Sequence, residues 1–91
     1  MKGNDVDLTQ FVFVGLGRSV VALNRATGEQ VWATRIEGYD FVNVMLDGGS
    51  IFATCCGEIF CLDPLTGRVL WHNPLKGFGT VLASIATDNG A

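Results

Sequence analysis

One pattern of eleven residues occurs twice in this chain of 91 residues, and the distance between its copies limits the possible folds more than any other feature. Residues 22–32 read ALNRATGEQVW, and residues 61–71, which lie 39 positions later, read CLDPLTGRVLW. This repeat distance also joins Phe13 to Phe52. Sequence periods of about 20 to 50 residues are typical of solenoids, propellers and arrays, whose units bury apolar faces against their neighbours. The chain is therefore predicted to consist of stacked, similar units.

Short apolar segments separated by turn residues predict an all-β fold. The segments are rich in Val, Ile, Phe and Trp, and none continues with the period of a helix. Some, such as residues 11–14, are apolar throughout, which indicates strands covered on both faces. Small sheets stacked on one another meet this requirement. The predicted strands are residues 11–16, 19–23, 30–34, 41–46, 51–55, 58–62, 69–71 and 80–86.

Turn residues lie between these strands where the prediction needs them. Asp47-Gly48-Gly49 is typical of a tight hairpin, because glycine adopts the positive φ that such turns require. Residues 63–67, DPLTG, suit a type I turn followed by a left-handed glycine, since proline presets φ at the second position. Residues 24–28, NRATG, predict the same turn without the proline.

Composition and charge make several classes of partner unsuitable. The net charge is −3 and no basic stripe is present, so neither nucleic acid nor an anionic membrane surface is an expected partner. No apolar run reaches the roughly 18 residues of a membrane span. Residues 1–10 are polar and lack a signal-peptide core, so the chain as given is expected in the cytoplasm, or in the periplasm if cut from an exported protein. With 48% hydrophobic and 16% charged residues, apolar surface is expected to remain for a partner.

The repeated pattern resembles the PQQ-like repeat of quinoprotein β-propellers, with its tryptophan-docking motif. The resemblance rests on an alanine, an asparagine or aspartate two residues later, Thr-Gly, and a tryptophan four residues after the glycine. It implies one four-stranded blade per repeat and a tryptophan that stacks on the neighbouring blade. Cys61 stands where the motif usually has alanine, and cysteine is also small and readily buried. The matching residues, interpreted as packing and turn residues, are Ala22, Thr27, Gly28, Trp32, Cys61, Thr66, Gly67 and Trp71.

The strand order of a propeller blade, A to D, divides the chain into four segments. Residues 1–9 form a polar arm, and residues 10–38 supply strands B, C and D of one blade. Residues 39–77 make a complete blade, and residues 78–91 supply strand A of the next, shared blade. The prediction is thus an all-β propeller unit with two blades per chain, one of them completed by another chain.

This division predicts a cyclic homo-oligomer. The last strand of each chain would pair with the first strand of the next, and head-to-tail contacts that close produce a ring. Three chains would give six blades and four chains eight, both within the roughly four to eight blades of known propellers. The family resemblance favours the tetramer over the trimer. The alternative is a fragment of a longer propeller that closes within one chain.

Cys55 and Cys56 are the residues most suggestive of chemistry. The resemblance implies a use for them, since some PQQ-dependent alcohol dehydrogenases hold the cofactor against a disulfide between adjacent cysteines. The favoured interpretation is simpler: two small residues with free thiols in a hairpin turn of a reducing cytosol. No nucleophile–base pair and no metal-ligand spacing is visible, so no catalytic or metal-binding residue is predicted.

The favoured function is therefore a non-catalytic scaffold or binding module without a cofactor. It would use the faces and channel of the ring to bind a protein or small molecule. Tyr39 and Phe78 would either line a groove on the ring face or, as we favour, fill space between blades. The alternative is a quinoprotein-like alcohol dehydrogenase, or a fragment of one, that depends on PQQ and calcium.

Overall fold

The computed structural model describes residues 8–36, 42–55 and 57–75 of the chain. These ranges contain one turn of 3-10 helix, Leu8–Gln10, and seven β-strands. The strands are β1 (Phe11–Leu16), β2 (Ser19–Asn24), β3 (Gln30–Arg35), β4 (Asn43–Asp47), β5 (Ser50–Cys55), β6 (Glu58–Leu62) and β7 (Val69–Asn73). The predicted all-β fold class is therefore confirmed. The described residues include no α-helix that could cross a bilayer.

The strands form two antiparallel sheets in which neighbours along the chain are also neighbours in space. One sheet has the order β1-β2-β3, and the other has the order β4-β5-β6-β7. The repeat distance relates β1, β2 and β3 to β5, β6 and β7, respectively. As described, the first sheet is thus equivalent to the second sheet without its first strand.

Parts of the predicted organisation fall outside the described residues. The strand predicted to begin at Phe41 begins at Asn43 in the structure, and Phe41 itself is not among the described residues. The strand predicted over residues 80–86 also lies outside them, as do Tyr39 and Phe78. The division into residues 1–9, 10–38, 39–77 and 78–91 stays a prediction.

A single hydrophobic core joins the two described sheets. Val20 of β2, Ile51 of β5 and Leu62 of β6 are fully buried within it. Phe13 and Trp32 of the first sheet pack against the same cluster. Burial of apolar surface is the main favourable contribution to folding, so the two sheets stabilise each other. The cluster consists of Val20, Ile36, Val42, Ile51, Ala53, Cys55, Phe60 and Leu62.

The sheets approach each other closely where β1 passes the residue before β4. A Cβ atom built on Gly15 would overlap the carbonyl oxygen of Val42 and would lie 2.9 Å from its carbonyl carbon. Backbone atoms cannot move aside as a flexible side chain can. Glycine is therefore required at position 15 by the contact between the sheets.

Replacing Gly15 with alanine is expected to lower the free energy of unfolding by about 1–3 kcal/mol, the usual cost of forcing extra atoms into a packed interface. Urea denaturation monitored by tryptophan fluorescence would measure it. Gly48→Ala is the control, because a Cβ atom at Gly48 meets nothing within 4 Å and its cost comes only from its φ of 59°. A Gly15→Ala variant as stable as the wild type would contradict the close contact.

Candidate functional site

Two turns of nearly identical geometry follow β2 and β6. We call residues 24–28 the Gly28 turn and residues 63–67 the Gly67 turn. In the Gly28 turn, the Gly28 amide donates to the Asn24 carbonyl at 2.7 Å, and the Asn24 amide donates to the Glu29 carbonyl at 2.7 Å. In the Gly67 turn, the equivalent bonds from Gly67 to Asp63 and from Asp63 to Arg68 both measure 2.8 Å.

Side chains at equivalent positions cap both turns in the same way. The Asn24 Oδ1 atom accepts from the Ala26 amide at 2.8 Å, and the Asp63 Oδ1 atom accepts from the Leu65 amide at 2.8 Å. Short polar side chains that bind the backbone two residues later favour turns over regular strands. This explains why asparagine and aspartate are interchangeable at the position.

The threonines of the repeated pattern directly precede the two glycines, and their hydroxyls accept hydrogen bonds from the backbone that follows. The Thr27 hydroxyl accepts from the Glu29 amide at 3.1 Å, and the Thr66 hydroxyl accepts from the Arg68 amide at 3.2 Å. Each glycine then adopts a left-handed conformation, with φ of 78° at Gly28 and 79° at Gly67. Thr-Gly therefore closes both turns and starts the outermost strand of each sheet.

The first tryptophan lies on the turn of the second sheet. The Trp32 indole Nε1–H donates to the Pro64 carbonyl oxygen at 2.9 Å, and the Thr34 hydroxyl donates to the Gly67 carbonyl oxygen at 2.5 Å. A Cβ atom built on Gly67 would lie only 2.5 Å from Cε3 of Trp32. Glycine is thus required at position 67 both by its φ and by the tryptophan above it.

The second tryptophan has no such turn beneath it among the described residues. Trp71 is 47% exposed, and its ring contacts Phe52 at a centroid distance of 6.1 Å. This ring pair repeats Phe13 and Trp32, whose centroids also lie 6.1 Å apart. Each tryptophan therefore contacts a phenylalanine of its own sheet in the same way. The two differ in their second contact, because only Trp32 also lies on a turn of the described residues.

In each sheet, the alanine position of the repeated pattern pairs with the tryptophan position on the neighbouring strand. Ala22 pairs with Trp32, and Cys61 pairs with Trp71. A bulge comes directly after both pairs, between Ala22 and Leu23 and between Cys61 and Leu62. Ala22 and Cys61 are both buried. Cysteine therefore fits at position 61 in the place that alanine takes in the first sheet.

Cys55 ends β5 and belongs to the hydrophobic core. Cys56 is not among the described residues, so the assignment of the pair to a cofactor stays a prediction. The described residues enclose no cavity. No three His, Cys, Asp or Glu side chains of the described ranges come together as a metal site would require.

Alkylation of the unreduced protein after unfolding is expected to add three alkyl groups, one for each of the cysteines in the chain. Mass spectrometry would count them. In the folded protein, Cys55 and Cys61 should react slowly because both are buried. A single alkyl group after unfolding, with three after reduction, would instead establish a disulfide bond in the chain.

A cluster around His72 was not predicted from the sequence. The His72 ring stacks on Phe60 with a centroid distance of 4.2 Å and an interplanar angle of 2°. Its Nε2 atom contacts Oε1 of Glu58. The register that pairs Phe60 with His72 brings them together. That register depends on the bulge at Cys61, and only a correct placement of the bulge would have revealed the cluster.

The described sheets and their turn contact define a class of protein: a tandem-repeat protein of small antiparallel sheets that pack through a shared core. A family model described as "Outer membrane protein assembly factor BamB" matches residues 16–90. The chain belongs to this family of PQQ-like repeat proteins, which confirms the resemblance found in its sequence. No curated protein gives a significant match to the chain.

Proposed function

We propose that the chain is a non-catalytic β-propeller scaffold or binding module that assembles as a ring of three or four identical chains. The observation that carries this proposal is the difference between the two sheets. In the second sheet β5 is hydrogen-bonded to β4, whereas its counterpart β1 has no such neighbour among the described residues. A strand from a second chain would supply that neighbour.

An unpaired strand edge favours association, because its backbone donors and acceptors can pair with another strand. The sequence predicts a strand of matching type over residues 80–86. In the proposed ring this segment pairs with β1 of the next chain and completes its sheet. The contact is head to tail, and contacts of this kind close into rings when the rotation permits.

The exposed outermost strand of the second sheet, β7, also supports the proposed ring. All five residues of β7 are exposed, although three of them are Val69, Leu70 and Trp71. Leu70 alone is 51% exposed. Large apolar side chains exposed along one strand are typical of an interaction site in soluble proteins. In the ring, the first sheet of the next chain would cover it.

Two observations support a non-catalytic role. The matching family carries the description of an outer membrane protein assembly factor, a description that names assembly and no reaction. The described residues also offer an exposed strand, β7, with large apolar side chains that a partner could cover. A ring of such chains would present symmetric faces to a protein or small-molecule ligand.

Light scattering after size-exclusion chromatography is the test of the ring. We expect a mass of three or four chains that stays constant over the micromolar range. A monomer at these concentrations would overturn the ring. A broad distribution of aggregates would support the alternative that the chain is a fragment of a longer propeller.

A dye-linked alcohol dehydrogenase assay after addition of PQQ and calcium tests the non-catalytic role. We expect no turnover, and measurable turnover would overturn the non-catalytic role.

A further inference from the structure

We propose that Asp47 is a site of spontaneous covalent modification, in which the amide nitrogen of Gly48 attacks the Asp47 side-chain carboxyl group and converts the residue to isoaspartate. Asp47 ends β4, and the two glycines that follow it form the turn to β5. This inference does not depend on the proposed ring or on any partner chain.

The reaction needs no reagent other than water. The Gly48 nitrogen forms a bond with Cγ of Asp47, and the hydroxyl of the protonated carboxyl group leaves with the amide hydrogen as water. The product is a five-membered cyclic imide. Water then adds to one of its two carbonyl carbons. Opening at Cγ restores aspartate, whereas opening at the backbone carbonyl carbon leaves the chain joined through Cγ. The second product is isoaspartate, which has the mass and charge of aspartate and one more carbon atom in the main chain.

Both reacting groups are free of other contacts within the described ranges. The Asp47 carboxylate has no hydrogen bond or ion pair there, and the Gly48 amide donates no hydrogen bond there. Backbone amides are strong donors that are usually paired, and a paired amide would hold the hydrogen that the reaction must remove. The carboxyl group and the attacking nitrogen therefore have no competing contacts to break.

The turn also leaves room for the two groups to meet. Gly48 and Gly49 are exposed, and a Cβ atom built on either would meet nothing within 4 Å. Their φ angles are 59° and 81°, in a region that glycine reaches without steric cost. Glycine also moves readily to other backbone conformations, and no side chain stands beside the attacking nitrogen. Local rotation at the turn can therefore bring this nitrogen to Cγ of Asp47.

Asn24, by contrast, is held in place by its hydrogen bonds. Its Oδ1 atom accepts from the Ala26 amide at 2.8 Å and from the Thr27 amide at 3.2 Å. The nitrogen that would attack it belongs to Arg25, whose amide donates to the Gln10 carbonyl oxygen at 2.8 Å. Both groups that would react are therefore occupied.

The remaining Asp and Asn residues of the described ranges also lack at least one of these conditions. Asp63 and Asn73 each precede a proline, which has no amide hydrogen to lose. Asn43 lies in β4 and precedes Val44, a β-branched residue that packs against the hydrophobic core. Within the described ranges, Asp47 is therefore the residue that combines a free side chain, a free following amide and a following glycine.

Isoaspartate at position 47 would disturb the pairing of β4 with β5. The pair Asp47–Ser50 closes the hairpin, and the next pair is Leu46–Ile51. The length of a hairpin turn fixes the register of its strands, so an added main-chain carbon displaces these pairs. Ile51 is fully buried. The modification is therefore expected to loosen the core next to the turn.

Incubation of the folded protein at physiological pH and temperature tests this inference. Samples taken over several weeks are digested with trypsin, and electron-transfer fragmentation locates isoaspartate by residue. Trypsin places Asp47 in the peptide of residues 36–68 and the Asn89-Gly90 step, which lies outside the described residues, in the peptide of residues 77–91. We expect isoaspartate to accumulate at position 47, at a rate within a few-fold of that in a sample kept in denaturant. No isoaspartate at position 47 in the folded sample would overturn the proposal.

Three variants separate the chemistry from a general weakening of the turn. Asp47→Glu keeps the charge, but its longer side chain does not close a five-membered ring, so no modification is expected at this position. Gly48→Ala places a methyl group beside the attacking nitrogen and should slow the reaction several-fold. Gly49→Ala makes the same change at the second open glycine with a positive φ, and it should react at least as fast as the wild type. Isoaspartate formation at the wild-type rate in Gly48→Ala would overturn the proposed attack.

Discussion

Replacing Trp32 with alanine is expected to lower the free energy of unfolding by about 3–5 kcal/mol, the usual cost of removing a large aromatic side chain from a packed site. The loss has two sources: the indole packs on the Gly67 turn and the core, and its N–H donates to the Pro64 carbonyl oxygen. Domains of this length have a stability of roughly 0.05–0.15 kcal/mol per residue, so much of the total would be lost.

The matched control for Trp32→Ala is Val31→Ala on the same strand. Val31 is 48% exposed, and its truncation should cost less than about 1 kcal/mol. Urea denaturation at several protein concentrations is the measurement. Because the Trp32 contact lies within one chain, the difference between the two variants should not depend on concentration. Equal losses for both variants would show that the turn contact contributes nothing to stability.

Replacing Gly67 with asparagine is expected to lower the free energy of unfolding by about 2–4 kcal/mol. Part of this loss is the roughly 1–3 kcal/mol of overpacking, because the new Cβ atom would lie 2.5 Å from both Cε3 of Trp32 and Oγ1 of Thr34. The remainder is the hydrogen bond from Trp32 to Pro64, which contributes about 1 kcal/mol and would be broken as the indole moves.

Gly48→Asn separates the contact from the backbone conformation. Gly48 also has a positive φ, of 59°, and a Cβ atom there meets nothing within 4 Å. We expect Gly48→Asn to be close to the wild type in denaturant midpoint, with the tryptophan emission unchanged. In Gly67→Asn the emission should shift to longer wavelength as Trp32 becomes exposed to water. A Gly67→Asn variant as stable as Gly48→Asn would contradict the packing of Trp32 on this turn.

The strands could be predicted because their signals are local. The β-rich composition of the segments from β1 to β7 and the glycines between them are visible in any short window of the chain. The repeat distance then related the strands of one sheet to those of the other. Contacts that depend on how two sheets sit on each other were not predictable in this way. The sequence indicates neither the Pro64 carbonyl as an acceptor nor the close approach of Gly15 to the backbone of Val42.

The residues of the candidate site could be predicted from the sequence, but the different surroundings of its two tryptophans could not. The pattern identified Trp32 and Trp71 as equivalent, and in sequence they are. Only the structure distinguishes a tryptophan that lies on a turn from one that is exposed. The difference arises from the neighbour that each sheet has in space, and the residues within one repeat carry no information about that neighbour. The stacking of His72 on Phe60 was equally hidden, because it depends on the register after a bulge.

The near-identity of the two turns has a consequence for the thermodynamics of association. The bridging hydrogen bonds measure 2.8 Å in the Gly67 turn, on which Trp32 lies, and 2.7 Å in the Gly28 turn, where a Cβ atom on Gly28 would meet nothing within 4 Å. Each turn therefore keeps its shape through its own backbone and capping bonds. The Gly28 turn is therefore preorganised: its backbone is ordered before any partner arrives. A partner that binds this turn needs no free energy to order it, and preordered surfaces of this kind bind with a smaller entropic penalty. The Gly28 turn thus takes its shape from the folding of its own chain, independently of any molecule that covers it.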